Sequence, residues 1–300
     1  MSNSFVARAG RWILSAAAPI LLGNLPSGDL RAGELARDLK NPESAAIAAD
    51  GTIYVTVIGE FDKDGDGQVL AFAPGKPTKV FATGLNDPKG IVIHKDEFYV
   101  TDKTRLMKID KEGKVSVALE ADKFDPKPTF LNDIDVDREG SFVVTDSGND
   151  KGEGAAVYGV LLNAGFITGG AAILDPMLSP LVKRPNGALF DKKKDALWIV
   201  DFETGDLLRM PMDKDGAKPE KVAGGFPGGD GLALDDDGNL YISSWKTGEL
   251  WQLPAGKTEA VVLAKDFKSA ADICLDKAGK RIIVPDMKAG TLNEVLLEKK

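Results

Sequence analysis

The sequence has one cysteine and one histidine in 300 residues, and this scarcity disfavours several kinds of chemistry. The single thiol, Cys274, cannot form an intrachain disulfide. The single imidazole, His94, cannot supply the several histidines of a typical catalytic zinc centre. A serine hydrolase is also disfavoured, because the motif Gly-x-Ser-x-Gly is absent and the one histidine lies in a loop-like stretch.

Long apolar runs and an excess of basic residues are absent too. No run of about 18 apolar residues occurs, so no membrane-spanning helix is predicted. The formal net charge of −8 argues against binding to duplex nucleic acid, which needs clustered lysines and arginines. With 43% apolar and 28% charged residues, the composition is that of an ordinary globular protein with enough apolar residues for a large core.

The chain opens on a basic segment followed by an apolar one. Arg8 and Arg11 precede an apolar stretch, residues 12–22, of the length found in signal peptides. We therefore expect residues 1–30 to be a signal peptide, and the mature protein to be periplasmic or secreted. The alternative is a disordered or ordered N-terminal arm on a cytoplasmic protein.

A single unit recurs through the rest of the chain. Each copy has a short alternating strand, a turn rich in Asp and Gly, and a β-branched or aromatic strand, with further strand-like runs behind it. Most copies lie about 45 residues apart, which is typical of the four-stranded blades of a propeller. We therefore predict an all-β fold, a six-bladed β-propeller of four-stranded antiparallel blades, as one domain over residues 31–300. The copies occupy residues 41–56, 87–102, 131–146, 185–201, 230–243 and 271–286.

The last unit is one strand short, since only residues 292–297 follow its second strand. Residues 33–39 precede the first unit and can supply the missing strand. We predict that this N-terminal strand completes the last blade and closes the ring, because the pairing removes two exposed sheet edges together.

Two further sets of residues repeat with the units. Aspartates end the second strand of four units, and we predict that they form turns by accepting hydrogen bonds from their own backbone. Three tryptophans lie in strand patterns, and we predict that they belong to the core between blades. The aspartates are Asp102, Asp146, Asp201 and Asp286, and the tryptophans are Trp198, Trp245 and Trp251.

One register of the repeat carries polar residues of similar chemistry. In a propeller the innermost strands surround a central channel, so equivalent residues of the six units converge there. Four of the six side chains offer oxygen, as two carboxylates and two amides, which are ligands of hard cations. Taken singly, each residue could instead cap a tight turn, as Asn and Asp before Gly often do. The six positions are Glu43, Pro88, Asn132, Asn186, Asp230 and Ala271.

The motifs that hold these residues resemble those of the SMP-30/gluconolactonase/luciferin-regenerating (SGL) family of six-bladed propellers. The resemblance covers residues 33–297. The order Glu, Asn, Asn, Asp around the ring is similar to the metal site of that family. The segments that carry it are Pro42-Glu43, Leu131-Asn132-Asp133, Pro185-Asn186-Gly187 and residues 229–235.

The resemblance implies a set of roles. Glu43, Asn132, Asn186 and Asp230 would hold the metal, expected to be Ca²⁺, with Mg²⁺, Zn²⁺ or Mn²⁺ as alternatives. Asp230 and Asn132 would be catalytic, with Asp230 assisting the attack of water. Asn132 and Lys89 would bind the substrate, although Lys89 stands in the second unit where several family members carry an arginine.

The expected function is metal-dependent hydrolysis of a small-molecule lactone or related ester, by a monomer without nucleic-acid partners. The alternative is a non-catalytic propeller that binds a protein, peptide or glycan and keeps the metal as a structural element. A lyase is less well supported, because that chemistry would need a histidine near the metal and His94 lies on the wrong side of its strand.

Overall fold

The computed structural model describes residues 32–137, 139–162, 171–173, 179–212 and 217–297. In these residues the chain forms six antiparallel sheets of four strands each. The expected signal segment, residues 1–30, lies outside the described residues. The strands are β1 (Ala32–Ala36), β2 (Pro42–Ile47), β3 (Ile53–Val57), β4 (Gly67–Phe72), β5 (Lys79–Leu85), β6 (Pro88–His94), β7 (Glu97–Asp102), β8 (Arg105–Ile109), β9 (Val115–Leu119), β10 (Leu131–Val136), β11 (Ser141–Asp146), β12 (Ala156–Leu162), β13 (Ala171–Ile173), β14 (Pro185–Asp191), β15 (Ala196–Asp201), β16 (Asp206–Pro211), β17 (Glu220–Gly224), β18 (Gly229–Leu234), β19 (Leu240–Ser244), β20 (Leu250–Leu253), β21 (Val261–Ala264), β22 (Cys274–Asp276), β23 (Arg281–Asp286) and β24 (Thr291–Leu296).

The sheets are the blades of a six-bladed β-propeller, as predicted. The first strand of each blade contacts the first strand of the next, from β2 through β6, β10, β14 and β18 to β22 and back to β2. This closed ring of innermost strands surrounds the central channel. The helical element of the described residues is one 3₁₀ turn, Ala121–Lys123, and no described helix has the length and apolar character needed to cross a membrane.

The N-terminal strand closes the ring. β1 pairs antiparallel with β24, with Ala32 opposite Val295, and gives the last blade the strand order β22, β23, β24, β1. The prediction of an N-terminal closing strand is confirmed, although the strand is Ala32–Ala36 and not residues 33–39. Closure joins the two ends of the fold, because the first and last parts of the described chain lie in one sheet.

The core lies between neighbouring blades. In the cluster between the second and third blades, Leu106 and Tyr99 pack with Phe142 and Tyr158. Such clusters lie at each of the other blade junctions as well. Each buried aliphatic or aromatic side chain stabilises the fold by about 1.5–3 kcal/mol. The stacked blades therefore hold the inner strands rigidly around the channel.

The acidic turns between the first and second strands also follow the expected pattern. Asp235 accepts hydrogen bonds at Oδ1 from the backbone N–H groups of Asp237 and Asn239. Gly238 has φ +87°, a left-handed conformation that glycine adopts without a steric penalty. The turn fixes where β19 begins, and it lies at the end of the innermost strand opposite the polar register.

Candidate metal and substrate site

All five residues predicted for the site line one cavity. Glu43, Lys89, Asn132, Asn186 and Asp230 lie at one mouth of the central channel, around a cavity of about 160 Å³. Each is the second residue of the innermost strand of its blade. The repeated register therefore converges on the axis, as the propeller geometry requires.

In the second blade, the predicted register position, Pro88, was wrong by one residue. Pro88 pairs with the last residue of the second strand of its blade, as Leu131 does in the third blade. The next residues, Lys89 and Asn132, are therefore equivalent and both line the cavity. The ring at this register carries Lys89 in place of Pro88, so an ammonium group lies among the oxygen donors.

A β-bulge presents the site residues. In the third blade, the pairing between β10 and β11 shifts between Leu131 and Ile134, so that Asn132 lies in an irregular part of the ladder. The Thr145 hydroxyl accepts a hydrogen bond from Asp133 N–H at 2.9 Å and donates to the Asn186 carbonyl of the next blade at 2.7 Å. The same inter-blade hydroxyl bond joins Thr101 to the Asn132 carbonyl and Ser243 to the Ala271 carbonyl.

The aspartates that end the second strands hold the segment that enters the same blade. Asp146 accepts hydrogen bonds from the backbone N–H groups of Thr129 and Phe130 at 2.7 and 2.8 Å. Asp201 does the same for Lys183 and Arg184. The prediction that these aspartates form their own turns was therefore incomplete, since they also accept from N–H groups 16 to 18 residues earlier in the chain. They determine where Phe130 and Arg184 stand at the cavity.

Three oxygen atoms of the predicted ligands are buried without a hydrogen-bond donor among the described residues. They are Glu43 Oε2, Asn186 Oδ1 and Asp230 Oδ1. The Asn186 amide nitrogen donates to Asp230 Oδ2 at 3.2 Å, which turns its own oxygen away from that contact. Buried polar atoms are normally hydrogen-bonded, so three orphaned oxygens at one cavity indicate a missing cation or donor.

Asn132 is oriented by a residue that the sequence analysis missed. Its Nδ2 donates to Ser147 Oγ at 3.1 Å, and Ser147 donates in turn to the Pro185 carbonyl at 2.7 Å. Because the amide nitrogen is engaged, Oδ1 is the Asn132 atom that can coordinate a cation. Ser147 directly follows β11, and nothing in the sequence distinguishes it from an ordinary loop serine.

The electrostatics of the site favour a bound cation. Burial, and then the charge of Asp230, raise the pKa of Glu43 well above its usual value, while Lys89 acts in the opposite direction. Burial and the neighbouring Asp272 likewise raise the pKa of Asp230. Two buried carboxylates that are costly to ionise gain the most from a positive charge between them.

The donor set fits a hard cation. The described residues contain no group of three or more His, Cys, Asp or Glu side chains that could hold a metal ion. The candidate site consists instead of two carboxylates and two amides, which is an oxygen-only set of the kind that suits Ca²⁺. It lacks the nitrogen and sulfur ligands typical of zinc sites.

Aromatic and apolar side chains form the walls of the cavity. Phe130, Phe202, Trp245 and Met287 line it beside the polar ring. Trp198 and Trp251 are buried in the core between blades, as predicted, whereas Trp245 packs partly buried against Ile58, Ala271 and Met287 and also lines the cavity. The strand pattern did not separate them, because Trp245 directly follows the end of β19, where the chain turns into the mouth. His94 lies away from the cavity, against Phe142.

The architecture is a six-bladed propeller with a ring of oxygen donors at one mouth of its channel. The family model described as the SMP-30/gluconolactonase/LRE-like region matches residues 87–284, and the chain belongs to that family. A comparison with curated proteins finds no match.

Similar solved structures agree with this fold. A gluconolactonase from Xanthomonas campestris superposes with a TM-score of 0.70 at 17% identity, covering 90% of this chain and 91% of that one. Regucalcin from Agrobacterium tumefaciens, a calcium-binding protein, gives a TM-score of 0.71 at 16% identity and covers 89% and 94% of the two chains. A chain of the nidogen/laminin complex gives 0.63 at 18% identity, with 78% and 84% covered.

Proposed function

We propose that this protein is a calcium-dependent hydrolase of lactones or related esters. The observation that carries the proposal is the set of three orphaned oxygens, from Glu43, Asn186 and Asp230, at one cavity. Membership in a family that includes gluconolactonases supports the same reaction class.

The residues of the ring have complementary parts in this reaction. A bound Ca²⁺ would supply Lewis-acid chemistry, polarising the ester carbonyl. Asp230 accepts a proton as water adds to the acyl carbon, and it returns the proton to the ring oxygen when the acyl C–O bond breaks. Asn132 would hold the cation through Oδ1, because its amide nitrogen donates to Ser147. One lactone and one water give one hydroxy acid.

Lys89 contributes positive charge. It is almost wholly buried, and its Nζ donates to the Asp87 carbonyl at 3.2 Å. Burial lowers the pKa of Lys89, while Glu43 and Asp87 act to raise it. In its charged form, this ammonium attracts the carboxylate that hydrolysis produces.

The test is turnover of a panel of lactones and aryl esters, measured with Ca²⁺ and after chelation. We expect hydrolysis that disappears on chelation, returns with added Ca²⁺, and is lost in Asp230→Ala while circular dichroism shows an intact fold. Failure of every substrate in the calcium-loaded protein would contradict the enzyme assignment.

The second candidate is a non-catalytic binding propeller with a structural cation. The likeness to a propeller chain from the nidogen/laminin complex shows that this fold also occurs in an assembly of proteins. In that case chelation would lower the melting temperature, and no ester or lactone would be hydrolysed at any calcium concentration.

A further inference from the structure

Positive side chains and aromatic rings are paired around the mouth that holds the oxygen donors. Three aromatic residues that line the cavity each lie beneath a lysine or arginine. The cation-to-centroid distances are 4.1 Å for Lys89 over Phe130, 5.2 Å for Arg184 over Phe202, 4.7 Å for Lys246 over Phe202 and 3.6 Å for Lys288 over Trp245.

These four cations have no carboxylate partner within ion-pair distance in the described part of the chain. The chain carries a net charge of −8, so carboxylates are plentiful elsewhere. Four cations without an ion-pair partner at one mouth of an acidic protein favour an anionic ligand, because a charged site concentrates and holds its counter-charge.

Arg184 is the strongest element of this rim. It lines the cavity, and its Nε is buried without a hydrogen-bond acceptor among the described residues. Its backbone is held in place by Asp201, which accepts from Arg184 N–H at 2.8 Å. A buried guanidinium N–H without an acceptor is costly, and a carboxylate or phosphate oxygen would satisfy it with a strong, charge-assisted hydrogen bond.

The remaining walls are poor in polar groups. Phe202, Trp245 and Met287 offer apolar surface, and Ser147, the one hydroxyl among the described lining residues, is already bonded to Asn132 and Pro185. A polyhydroxylated sugar lactone would place several hydroxyl groups against such walls without partners. An apolar or aromatic ligand leaves no polar group unpaired there, and it gains buried apolar area and contacts with the aromatic rings.

We propose that the site selects a compact aryl or alkyl lactone or ester that bears a carboxylate, with its apolar body against Phe202 and Trp245 and its carboxylate on Arg184. This inference rests on the proposed hydrolytic function for the reacting ester group. The recognition of an aromatic anion by Arg184 can, however, be measured without any turnover.

The experiment compares phenylacetate with its neutral isostere phenylacetamide by titration calorimetry on the calcium-loaded protein. We expect phenylacetate to bind more tightly, and Arg184→Gln to weaken phenylacetate by about tenfold or more while leaving phenylacetamide within about twofold. Lys183→Gln, which removes an exposed charge one residue away, is the matched control and should change neither ligand.

Two outcomes would overturn the inference. Equal binding of the acid and the amide by the wild-type protein is one. The other is binding of phenylacetate that survives Arg184→Gln but disappears on chelation, which would assign the carboxylate to the central cation.

The kinetic arm separates this inference from the proposed function. We expect kcat/KM for a carboxylated dihydrocoumarin to exceed that for dihydrocoumarin and for gluconolactone, and Arg184→Gln to abolish the preference through KM. Hydrolysis with no preference for the anionic substrate would overturn the subsite and keep the enzyme. Arg184-dependent binding of phenylacetate without any hydrolysis would keep the subsite and overturn the enzyme.

Discussion

The molecule contains two kinds of buried carboxylate, and their surroundings differ. Asp146 and Asp201, at the ends of the second strands, accept several backbone N–H donors each. Glu43 and Asp230, at the channel mouth, each keep one oxygen that no described donor reaches. The oxygens of the first kind are occupied by hydrogen bonds within the fold, whereas each carboxylate of the second kind keeps one oxygen available to a ligand. Burial alone therefore does not separate these two pairs of carboxylates, whereas the number of their hydrogen-bond donors does.

The largest expected effect is on catalysis. Asp230→Asn should lower the rate of lactone hydrolysis by about 10²- to 10⁴-fold, because an amide cannot accept the proton of the attacking water. The free energy of unfolding of the calcium-free protein should change little, since the amide oxygen can still accept from Asn186. The measurements are steady-state turnover and urea denaturation. Activity within tenfold of wild type would remove Asp230 from the mechanism.

Removing a carboxylate of the first kind, such as Asp201, should lower the stability of the protein. Asp201→Ala leaves four backbone N–H groups without their acceptor, and we expect a loss of about 3 kcal/mol in unfolding free energy. Glu203→Ala, at an exposed neighbouring position, is the control and should stay within about 0.5 kcal/mol of wild type. Urea denaturation measures both. Equal stability of the two variants would mean that solvent satisfies these N–H groups.

Calcium should stabilise the protein through Glu43 and Asp230, and not through Asp146 or Asp201. At a free concentration 100 times Kd, the expected gain is about 2.7 kcal/mol. Glu43→Gln should reduce this gain in stability. Asp146→Asn should keep the gain, even though this variant melts at a lower temperature than the wild-type protein. Thermal denaturation with and without Ca²⁺ is the measurement. A calcium-dependent shift that Asp146→Asn abolishes and Glu43→Gln preserves would reverse the assignment.

Asp272 is a further buried carboxylate, and its protonation makes the stability of the protein depend on pH. Its Oδ2 accepts from Ser44 Oγ, yet burial raises its pKa to about 7. Between pH 4 and 7 the folded protein thus keeps a proton that the unfolded chain has lost, so stability falls as pH rises through this window and levels off above it. Asp272→Asn should flatten the profile by up to about 1.4 kcal/mol per pH unit. Parallel profiles from urea denaturation of the calcium-free proteins would contradict this.

The smallest effect is expected at the opposite mouth of the channel. That mouth opens into a larger cavity of about 390 Å³, lined mainly by Ala, Val, Ile and Leu together with Lys192. Three aspartates, Asp133, Asp135 and Asp272, also line it, and Asp135 accepts from the N–H groups of Phe190 and Val136. Lys192→Ala should change hydrolysis less than twofold and stability by less than about 0.5 kcal/mol. A larger loss of activity would show that both mouths take part.

Much of the candidate site could be predicted because its residues repeat. Glu43, Asn132, Asn186 and Asp230 share one position in a unit that recurs along the chain, and convergence follows from closing the ring. The error at Pro88 arose because the bulge that sets the register is a property of two paired strands, and one strand alone does not reveal it. Arg184, Ser147 and Trp245 were not predicted, since each lies where a strand meets a loop.

The sequence by itself determined the number of blades, the strand that closes the ring and the chemistry of the donor set, because each is written in local patterns that repeat. Only the tertiary structure decided which oxygens are left without donors and which cations surround them. Both depend on backbone N–H groups and aromatic rings brought from distant parts of the chain, such as the segment before β14 that Asp201 holds from the end of β15. Hydrogen bonding is complete or incomplete only after those parts have met, so the distinction between a structural and a functional carboxylate exists only in the folded protein.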